Sequence, residues 1–294
     1  MISNSTKQKW NSFFTNSYTD KEWMFMKISI LVFIGPSIFW NLLRVNPQAY
    51  PIGLCKWLDC SFLNNDTIKF GLAGLIAVLL IFYLFEKGML WVTLLLFLFS
   101  LLIFTIEESN GVKGRRGLFT LIFLAQFLAY LFHQIKLDLN INKNRVQFCC
   151  QLIAAVYTLA ALSKLSNSGL QWFVESPRII LQITKSYYFT YINTGTMDGA
   201  ADGVKMADWI GRHNVLTLLL LGGSLLLEIF SFVLILNKKI AFIYAVLMLG
   251  MHIGTLITMD IFFPTVSFPL IIFFINPFFL GYTAVTDFKS ANSI

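Results

Sequence analysis

Long apolar runs recur along the sequence, and short polar segments separate them. A helix needs about 20 mostly apolar residues to cross the hydrocarbon core of a bilayer. Runs of about this length lie at 27–44, 69–86, 88–106, 117–135, 147–164, 215–236, 240–262 and 264–284. The pattern predicts an all-α fold, a polytopic transmembrane helical bundle of about eight spans.

The last two runs form one apolar region that Pro264 interrupts. Pro269 and Pro277 fall inside the eighth run, and proline removes a backbone donor from a helix. We therefore expect the eighth span to be kinked or partly re-entrant.

Composition narrows the class of protein further. Charged residues make up 13% of the chain, hydrophobic residues 57%, and the mean hydropathy is +0.71. So few charges cannot cover the surface of a soluble domain, and so apolar a chain is not intrinsically disordered. We divide the chain into a polar N-terminal segment (1–26), a transmembrane domain (27–284) and a short C-terminal tail (285–294).

The N-terminal segment lacks the short apolar core and small-residue cleavage site of a cleavable signal peptide. Its aromatic residues, Trp10, Phe13 and Phe14, predict an interfacial helix.

The positive charges predict the orientation in the membrane. The chain carries a net charge of +7, mostly in segments between the apolar runs. Stacking aromatics are not interleaved with these charges, so nucleic acid is not an expected partner, whereas membrane lipids are. When the long connection after Lys164 is discounted, the side of the N-terminus carries more Lys and Arg. Both termini are then expected in the cytoplasm of a bacterium, in a multi-pass protein of the inner membrane.

The connection 165–214 is then a long external loop and a candidate binding surface, because long loops in compact proteins often act as lids. It opens with a predicted short interfacial helix, Leu170 to Pro177, and continues with an aromatic run around Tyr187 and Tyr191 and then a turn-rich stretch. The alternative interpretation of the aromatic run is a belt at the membrane interface.

Ionisable residues inside predicted spans are candidates for function because they are costly in lipid. Glu228 and His252 lie near the middle of two spans that a short turn joins, so the hairpin register predicts that they approach each other. Such a pair can handle protons or line a pocket, and it can equally be a polar clamp between helices.

Three further residues belong to the candidate pocket. Lys164 ends the fifth span and is either an interfacial snorkelling residue or a base. Asp260 ends the seventh span on the same side and is a possible partner for Lys164 or for another cation. His133 is expected to point inward from the fourth span, as a proton-handling group or an interhelical donor.

The cysteines indicate structural chemistry more than catalysis. Cys55 and Cys60 lie in the first external loop, where a disulfide is possible. No metal site is expected, because the spacing patterns of metal ligands are absent.

Several stretches carry a family resemblance. The strongest is Tyr157 to Trp172 (YTLAALSKLSNSGLQW), and the others are Leu216 to Leu227 before Glu228, His252 to Phe263, and Pro51-Ile-Gly-Leu54. They resemble the horizontally transferred transmembrane domain family, the membrane module of vitamin K-dependent gamma-carboxylase. The resemblance implies that Lys164 is the base that deprotonates a reduced quinone on the outer side. The carboxylase also has a large luminal domain after this module, whereas this sequence reaches Ile294 soon after its last predicted span, so carboxylation of glutamate is not expected.

Three functions follow as expectations. The first is a membrane-embedded enzyme, carboxylase-like or quinone-linked, that acts on or with an apolar cofactor such as a quinone near the outer leaflet. The alternative is a non-enzymatic membrane partner for the maturation or export of a secreted peptide or protein, since bacterial relatives in the resembled family occur with peptide toxins. A transporter would need a continuous polar path, which the isolated Glu228 and His252 do not supply.

Overall fold

The computed structural model describes residues 17–48, 52–110, 117–136, 141–174, 176–261 and 263–291. Regular structure among these residues is helical, without a strand, which confirms the predicted all-α class. The predicted interfacial helix around Trp10 lies outside the described residues, as do the last three residues of the predicted tail.

The α-helices are numbered in chain order. They are α1 (Asp20–Ser29), α2 (Gly35–Arg44), α3 (Asp66–Leu84), α4 (Met89–Ser109), α5 (Gly117–Lys136), α6 (Ile141–Ser168), α7 (Gln171–Val174), α8 (Ser176–Thr194), α9 (Asp198–Gly211), α10 (Asn214–Ile229), α11 (Lys238–Met259), α12 (Pro264–Leu270) and α13 (Pro277–Ala291). Short 3-10 or π segments are Ile30–Ile34, Gly53–Lys56, Ser61–Asn64, Phe230–Ile235 and Ile271–Ile275.

Eight helical stretches of the described residues are long and apolar enough to cross a membrane, which confirms the eight predicted spans. They are Asp20–Arg44, Asp66–Leu84, Met89–Ser109, Gly117–Ile135, Ile141–Ser168, Val215–Ile235, Lys238–Met259 and Pro264–Thr286. Several begin earlier than the hydrophobic pattern predicts because capping residues extend them. At the first span, the Thr19 hydroxyl accepts a hydrogen bond from the backbone N–H of Glu22 at 3.1 Å, which closes the first turn in a polar stretch.

Large apolar side chains also cover the outer surfaces of these helices. Phe70, Ile81, Ile243 and Ile257 are exposed, although they belong to candidate spans. A helix that is apolar all round is typical of a membrane span, so the fold is that of a multi-pass membrane protein.

The chain divides into two compact units, 1–152 with 268–294, and 153–267. In the first unit, buried polar pairs link neighbouring helices. The Tyr83 hydroxyl donates to Gln126 Oε1 at 2.8 Å, and Ser100 Oγ lies 2.7 Å from Thr120 Oγ1. In lipid such pairs satisfy polar groups that have no access to water.

The eighth span is interrupted, as its prolines led us to expect. α12 continues into the π segment Ile271–Ile275, and Asn276 then adopts the left-handed conformation, with φ of 46°, before α13 begins at Pro277. Proline at a first helical turn costs no backbone hydrogen bond, so the break falls where Pro277 can start a new helix.

The connection 165–214, predicted as a long external loop that opens with a short helix, is largely helical in the structure. The aromatic run lies on α8, and the turn to α9 uses Gly195, with φ of 73°. α8 and α9 pack closely because Gly203 faces Tyr187, where an added Cβ would lie 2.3 Å from the Tyr187 side chain. In the structure, the predicted turn-rich stretch is therefore only the short turn between α8 and α9.

Candidate functional site

A cavity of about 540 Å³ lies within the second unit, residues 153–267. This volume is in the range of sites that hold a small molecule or cofactor. Apolar lining residues are Val156, Ala160, Ile179, Leu221, Met251, Met259, Ile261, Phe263 and Val266. Polar lining residues are Tyr157, Lys164, Ser168, Trp172, Gln182, Ser224, Glu228, His252 and Thr255.

Helix periodicity brings the polar residues to the cavity wall. On α6, Tyr157 and Lys164 are seven residues apart, so they share a face at levels separated by about 10 Å. Glu228 comes from the last turn of α10, and His252 comes from the middle of α11. The wall therefore has polar groups at two levels.

The first level is an ion pair between Lys164 and Glu228. Lys164 Nζ donates to both carboxylate oxygens of Glu228, at 2.6 Å to Oε1 and 2.5 Å to Oε2. The side chains are 31% and 9% exposed, respectively, and both residues lie in candidate spans. An ionised side chain inside a membrane span is costly unless an opposite charge neutralises it. Lys164 and Glu228 each supply that opposite charge for the other.

The second level is a hydrogen bond between Tyr157 and His252. The Tyr157 hydroxyl lies 2.7 Å from His252 Nε2 and 3.3 Å from the carbonyl oxygen of Val266. The Phe263 ring packs against the imidazole, with ring centres 5.8 Å apart. These contacts fix the orientation of the His252 ring at the cavity wall.

Trp172 lines the cavity near Lys164. α6 ends at Ser168, and Gly169 adopts φ of 58°, a left-handed conformation that glycine takes without strain and that reverses the chain. The reversal brings the Trp172 ring to 5.5 Å from Lys164 Nζ, within cation–π range. The buried Trp172 Nε1 has no hydrogen-bond partner among the described residues.

Of the predicted site residues, Lys164, Glu228 and His252 line one cavity. The direct Glu228–His252 pair that the hairpin register predicts is not formed, because Glu228 bonds to Lys164 and His252 bonds to Tyr157. Lys164 pairs with Glu228, whereas Asp260 ends α11 in a left-handed conformation, with φ of 51°.

His133 does not line this cavity and belongs to α5 in the first unit. Its buried Nδ1 has no partner among the described residues.

Sequence reasoning missed Tyr157 and Trp172. The signal for Tyr157 was its spacing of seven from Lys164, which places both on one helix face. Trp172 follows a chain reversal, so no helical periodicity could relate it to Lys164.

The predicted disulfide pair is brought together in the segment after α2. Cys55 and Cys60 are buried thiols, and Cys60 Sγ donates to Cys55 Sγ at 2.7 Å. Burial and the hydrogen bond to Cys55 raise the pKa of the Cys60 thiol to about 12. The disulfide itself stays a prediction.

A second group of charges, which the sequence did not reveal, joins the buried Lys27 and Arg145 to the partly exposed Glu86 in the first unit. Its Oε1 accepts hydrogen bonds at 2.9 Å from both Trp23 Nε1 and Lys27 Nζ, and Arg145 lies 3.4 Å from Oε2. Burial by itself raises the pKa of Glu86, but Lys27, Arg145 and Trp23 outweigh this and hold the pKa below its ordinary value. Arg145 also stacks on the Trp23 ring, at 3.8 Å from its centre. This group joins side chains from α1, the α3–α4 turn and α6.

Within the described parts of the chain, no three His, Cys, Asp or Glu side chains group together as metal ligands. Comparison with protein-family models, with curated proteins and with solved structures finds no match for this chain. The class of protein, a multi-pass α-helical membrane protein, therefore rests on the hydropathy of the sequence and on the helices of the structure.

Proposed function

We propose that this protein is a membrane-embedded enzyme of the gamma-carboxylase-like class that binds an apolar cofactor or substrate, such as a quinone, in the cavity of the second unit. The observation that carries the proposal is a partly buried Lys164–Glu228 ion pair on the wall of a largely apolar cavity of about 540 Å³. Apolar pockets with a few convergent polar groups are the usual form of small-molecule sites.

The donor set fits a molecule with oxygen acceptors on an apolar ring. The Lys164 ammonium has three protons, of which Glu228 accepts two. The third has no acceptor among the described residues and is available to a ligand oxygen. Apolar residues such as Met251 and Phe263 would hold the ring and exclude water.

Lys164 is the proposed base, and Glu228 is the proposed acceptor of the proton that the Lys164 ammonium releases. A proton that moves from Nζ to a Glu228 oxygen, 2.5 or 2.6 Å away, leaves a neutral amine and a neutral carboxylic acid. A low-dielectric site tolerates this neutral pair because neither group then carries a charge that needs solvation. The amine can accept a proton from a bound molecule; a quinol, when bound, supplies an acidic hydroxyl. His252 and Glu228 line the pocket around it.

Mass spectrometry of small molecules extracted from the purified protein tests the proposal. We expect a stoichiometric quinone or similar apolar molecule in the wild type and its loss in Lys164→Ala and Glu228→Gln. The matched control is Lys205→Ala, because Lys205 pairs with Asp202 at 3.4 Å in an exposed ion pair. A wild-type protein that carries no such molecule, and binds none when one is added, would contradict the proposal.

The proposed location is the bacterial inner membrane, with both termini in the cytoplasm and Lys164 near the outer leaflet. The bias of Lys and Arg toward the side of the N-terminus supports this orientation. A fluorescent protein fused after Ile294 should fluoresce, and alkaline phosphatase at the same position should be inactive. An active phosphatase and a dark fluorescent protein would instead place the C-terminus outside the cytoplasm and contradict the proposed orientation.

A second candidate function, a non-enzymatic partner for a secreted peptide or protein, has support from α8. Leu181, Phe189 and Ile192 are exposed on this helix at a spacing that places them near one face. A photo-crosslinking amino acid at Ile192 should capture a secreted polypeptide if this function holds, and lipid alone if it does not. Lys164→Ala should leave that crosslink unchanged.

A further inference from the structure

The indole N–H of Trp172 has no hydrogen-bond acceptor beside the cavity. Nε1 is closed to solvent and has no partner among the described residues, whereas the indole side chain lines the cavity. A buried donor without an acceptor costs free energy, so native proteins rarely keep one without a reason. An acceptor that arrives with a ligand is such a reason, and the ligand space lies beside this ring.

Lys164 Nζ is a second donor with a free hydrogen, and it lies close to the same ring. Glu228 accepts two of its three protons, and Nζ is 5.5 Å from the centre of the Trp172 ring. One oxygen at about 2.9 Å from each of two nitrogens can join nitrogens that are up to about 5.8 Å apart. Nε1 belongs to this ring, so a rotation that turns its N–H edge toward Nζ brings both nitrogens within that span.

The surroundings of Trp172 permit such a rotation. The residue as a whole is partly exposed, and α7, which carries it, is a single turn of four residues. The χ2 torsion of tryptophan has broad minima, so the ring can turn about this bond at little cost. A Cβ added at Gly169, just before α7, would meet no atom within 4 Å, so the chain reversal leaves open space.

We infer that Trp172 is a ligand-binding residue whose Nε1–H donates to the same ligand oxygen as Lys164 Nζ. This deepens the proposed function and rests on it. One oxygen of an apolar molecule would then lie between a cationic donor and a neutral donor. A carbonyl oxygen has two lone pairs and can accept from both, so the chemistry fits a ring carbonyl of the quinone type.

The same two donors suit the proton transfer that we propose for Lys164. When the neutral amine takes the proton of a ligand hydroxyl, the O–H electron pair stays on the oxygen and Nζ becomes an ammonium. The indole N–H can only donate, so it favours the oxygen after the proton has left. Donors placed at a developing negative charge stabilise it in many enzymes. Trp172 would therefore assist the base without itself exchanging a proton.

Proton–nitrogen NMR of the full-length protein with ¹⁵N-labelled tryptophan tests the contact directly. The chain has seven tryptophans, and Trp172→Phe identifies the Trp172 signal by its loss. Decylbenzoquinone should shift the Trp172 indole proton downfield, as a new hydrogen bond does. Decylbenzene, which has no oxygen, should not. The control signal is that of Trp209, which is exposed and does not line the cavity.

The variant Trp172→Phe tests the contribution of the N–H group to affinity. Phenylalanine keeps an aromatic ring at the cavity wall and removes the donor. We expect the preference for radiolabelled decylbenzoquinone over decylbenzene to fall about three- to tenfold, which corresponds to the loss of one hydrogen bond. The matched control, Trp209→Phe, should leave that preference unchanged.

The outcomes separate this inference from the proposed function. If the wild type binds neither compound, the proposed function fails and the inference fails with it. If the wild type binds the quinone but the Trp172 indole proton does not move downfield, only the present inference fails. The same holds if Trp172→Phe keeps the full preference for the quinone.

Discussion

Lys164 Nζ lies 2.6 and 2.5 Å from the two carboxylate oxygens of Glu228, and the two residues are 64 positions apart in the chain. The Glu228 side chain is 9% exposed, whereas the Lys164 side chain is 31% exposed. The contact joins α6 to α10 at the wall of the cavity. It therefore ties the stability of the second unit to the same two groups that we propose for chemistry.

Removal of one partner should destabilise the protein more than removal of both. Lys164→Met leaves a buried carboxylate without its cation, and Glu228→Leu leaves the ammonium without its anion. A broken buried pair costs about 3–5 kcal/mol, while apolar replacement of both partners is often close to neutral. Thermal unfolding in detergent of both single variants and the double variant measures the coupling. The exposed Lys205–Asp202 pair serves as control, with an expected coupling below about 1 kcal/mol. Additive effects of the two buried substitutions would show that the ion pair does not form.

Lys164→Arg should separate the structural role of Lys164 from its role as a base. Arginine keeps the positive charge and can pair with Glu228, but it does not lose its proton in proteins. We expect the thermal midpoint to stay close to that of the wild type, and any activity that needs a base to disappear. An Lys164→Arg variant that folds and remains fully active would remove Lys164 from the proposed chemistry.

Glu86 should make the first unit sensitive to acid. Its pKa is below the ordinary value of 4.5 in the folded protein, so its ionised form stabilises the fold above about pH 4.5. This contribution is lost as the pH falls through the folded pKa, because the protonated acid no longer pairs with Lys27 and Arg145. The Glu86 side chain is 39% exposed, so we expect an effect below about 1 kcal/mol after screening by solvent.

The measurement is the difference in thermal midpoint between wild type and Glu86→Gln as a function of pH. The difference should be constant from neutral pH to about pH 5 and should shrink at lower pH. The exposed Asp208–Arg212 pair offers Asp208→Asn as the control. A difference that grows as the pH falls would reverse the sign and contradict the assignment.

Cys55 and Cys60 should form a disulfide in protein isolated from an oxidising compartment. Their sulfur atoms already lie in contact, both residues are buried, and the Ser109 hydroxyl accepts a hydrogen bond from the Cys55 backbone N–H at 3.2 Å. Peptide mass spectrometry without reductant should find the two cysteines linked, with two hydrogens fewer than the dithiol. Full alkylation of both in the denatured, unreduced protein would contradict the prediction. The Cys60 pKa of about 12 further implies slow labelling of a native dithiol at pH 8.

The sequence by itself determined the class of protein and the eight candidate spans. Hydropathy is a local and additive property, so a window of residues predicts a span without knowledge of its neighbours. It also identified Lys164, Glu228 and His252 as exceptional, because an ionisable group in an apolar run is costly wherever the helix lies. The short helix at the start of 165–214 was predicted and matches α7, whereas α8 and α9 were not predicted, since these two helices gain stability by packing against each other.

Only the tertiary structure decided which groups pair. The predicted meeting of Glu228 and His252 assumed a continuous α-helix up to the turn at Asn237. The chain instead forms a 3-10 segment at Phe230–Ile235. Over six residues, a 3-10 helix rotates the chain by about 120° more than an α-helix does, and the segment is about 3 Å longer. Glu228 then bonds to Lys164, and His252 bonds to Tyr157. The reversal at Gly169, which places Trp172 beside Lys164, likewise depends on one backbone conformation.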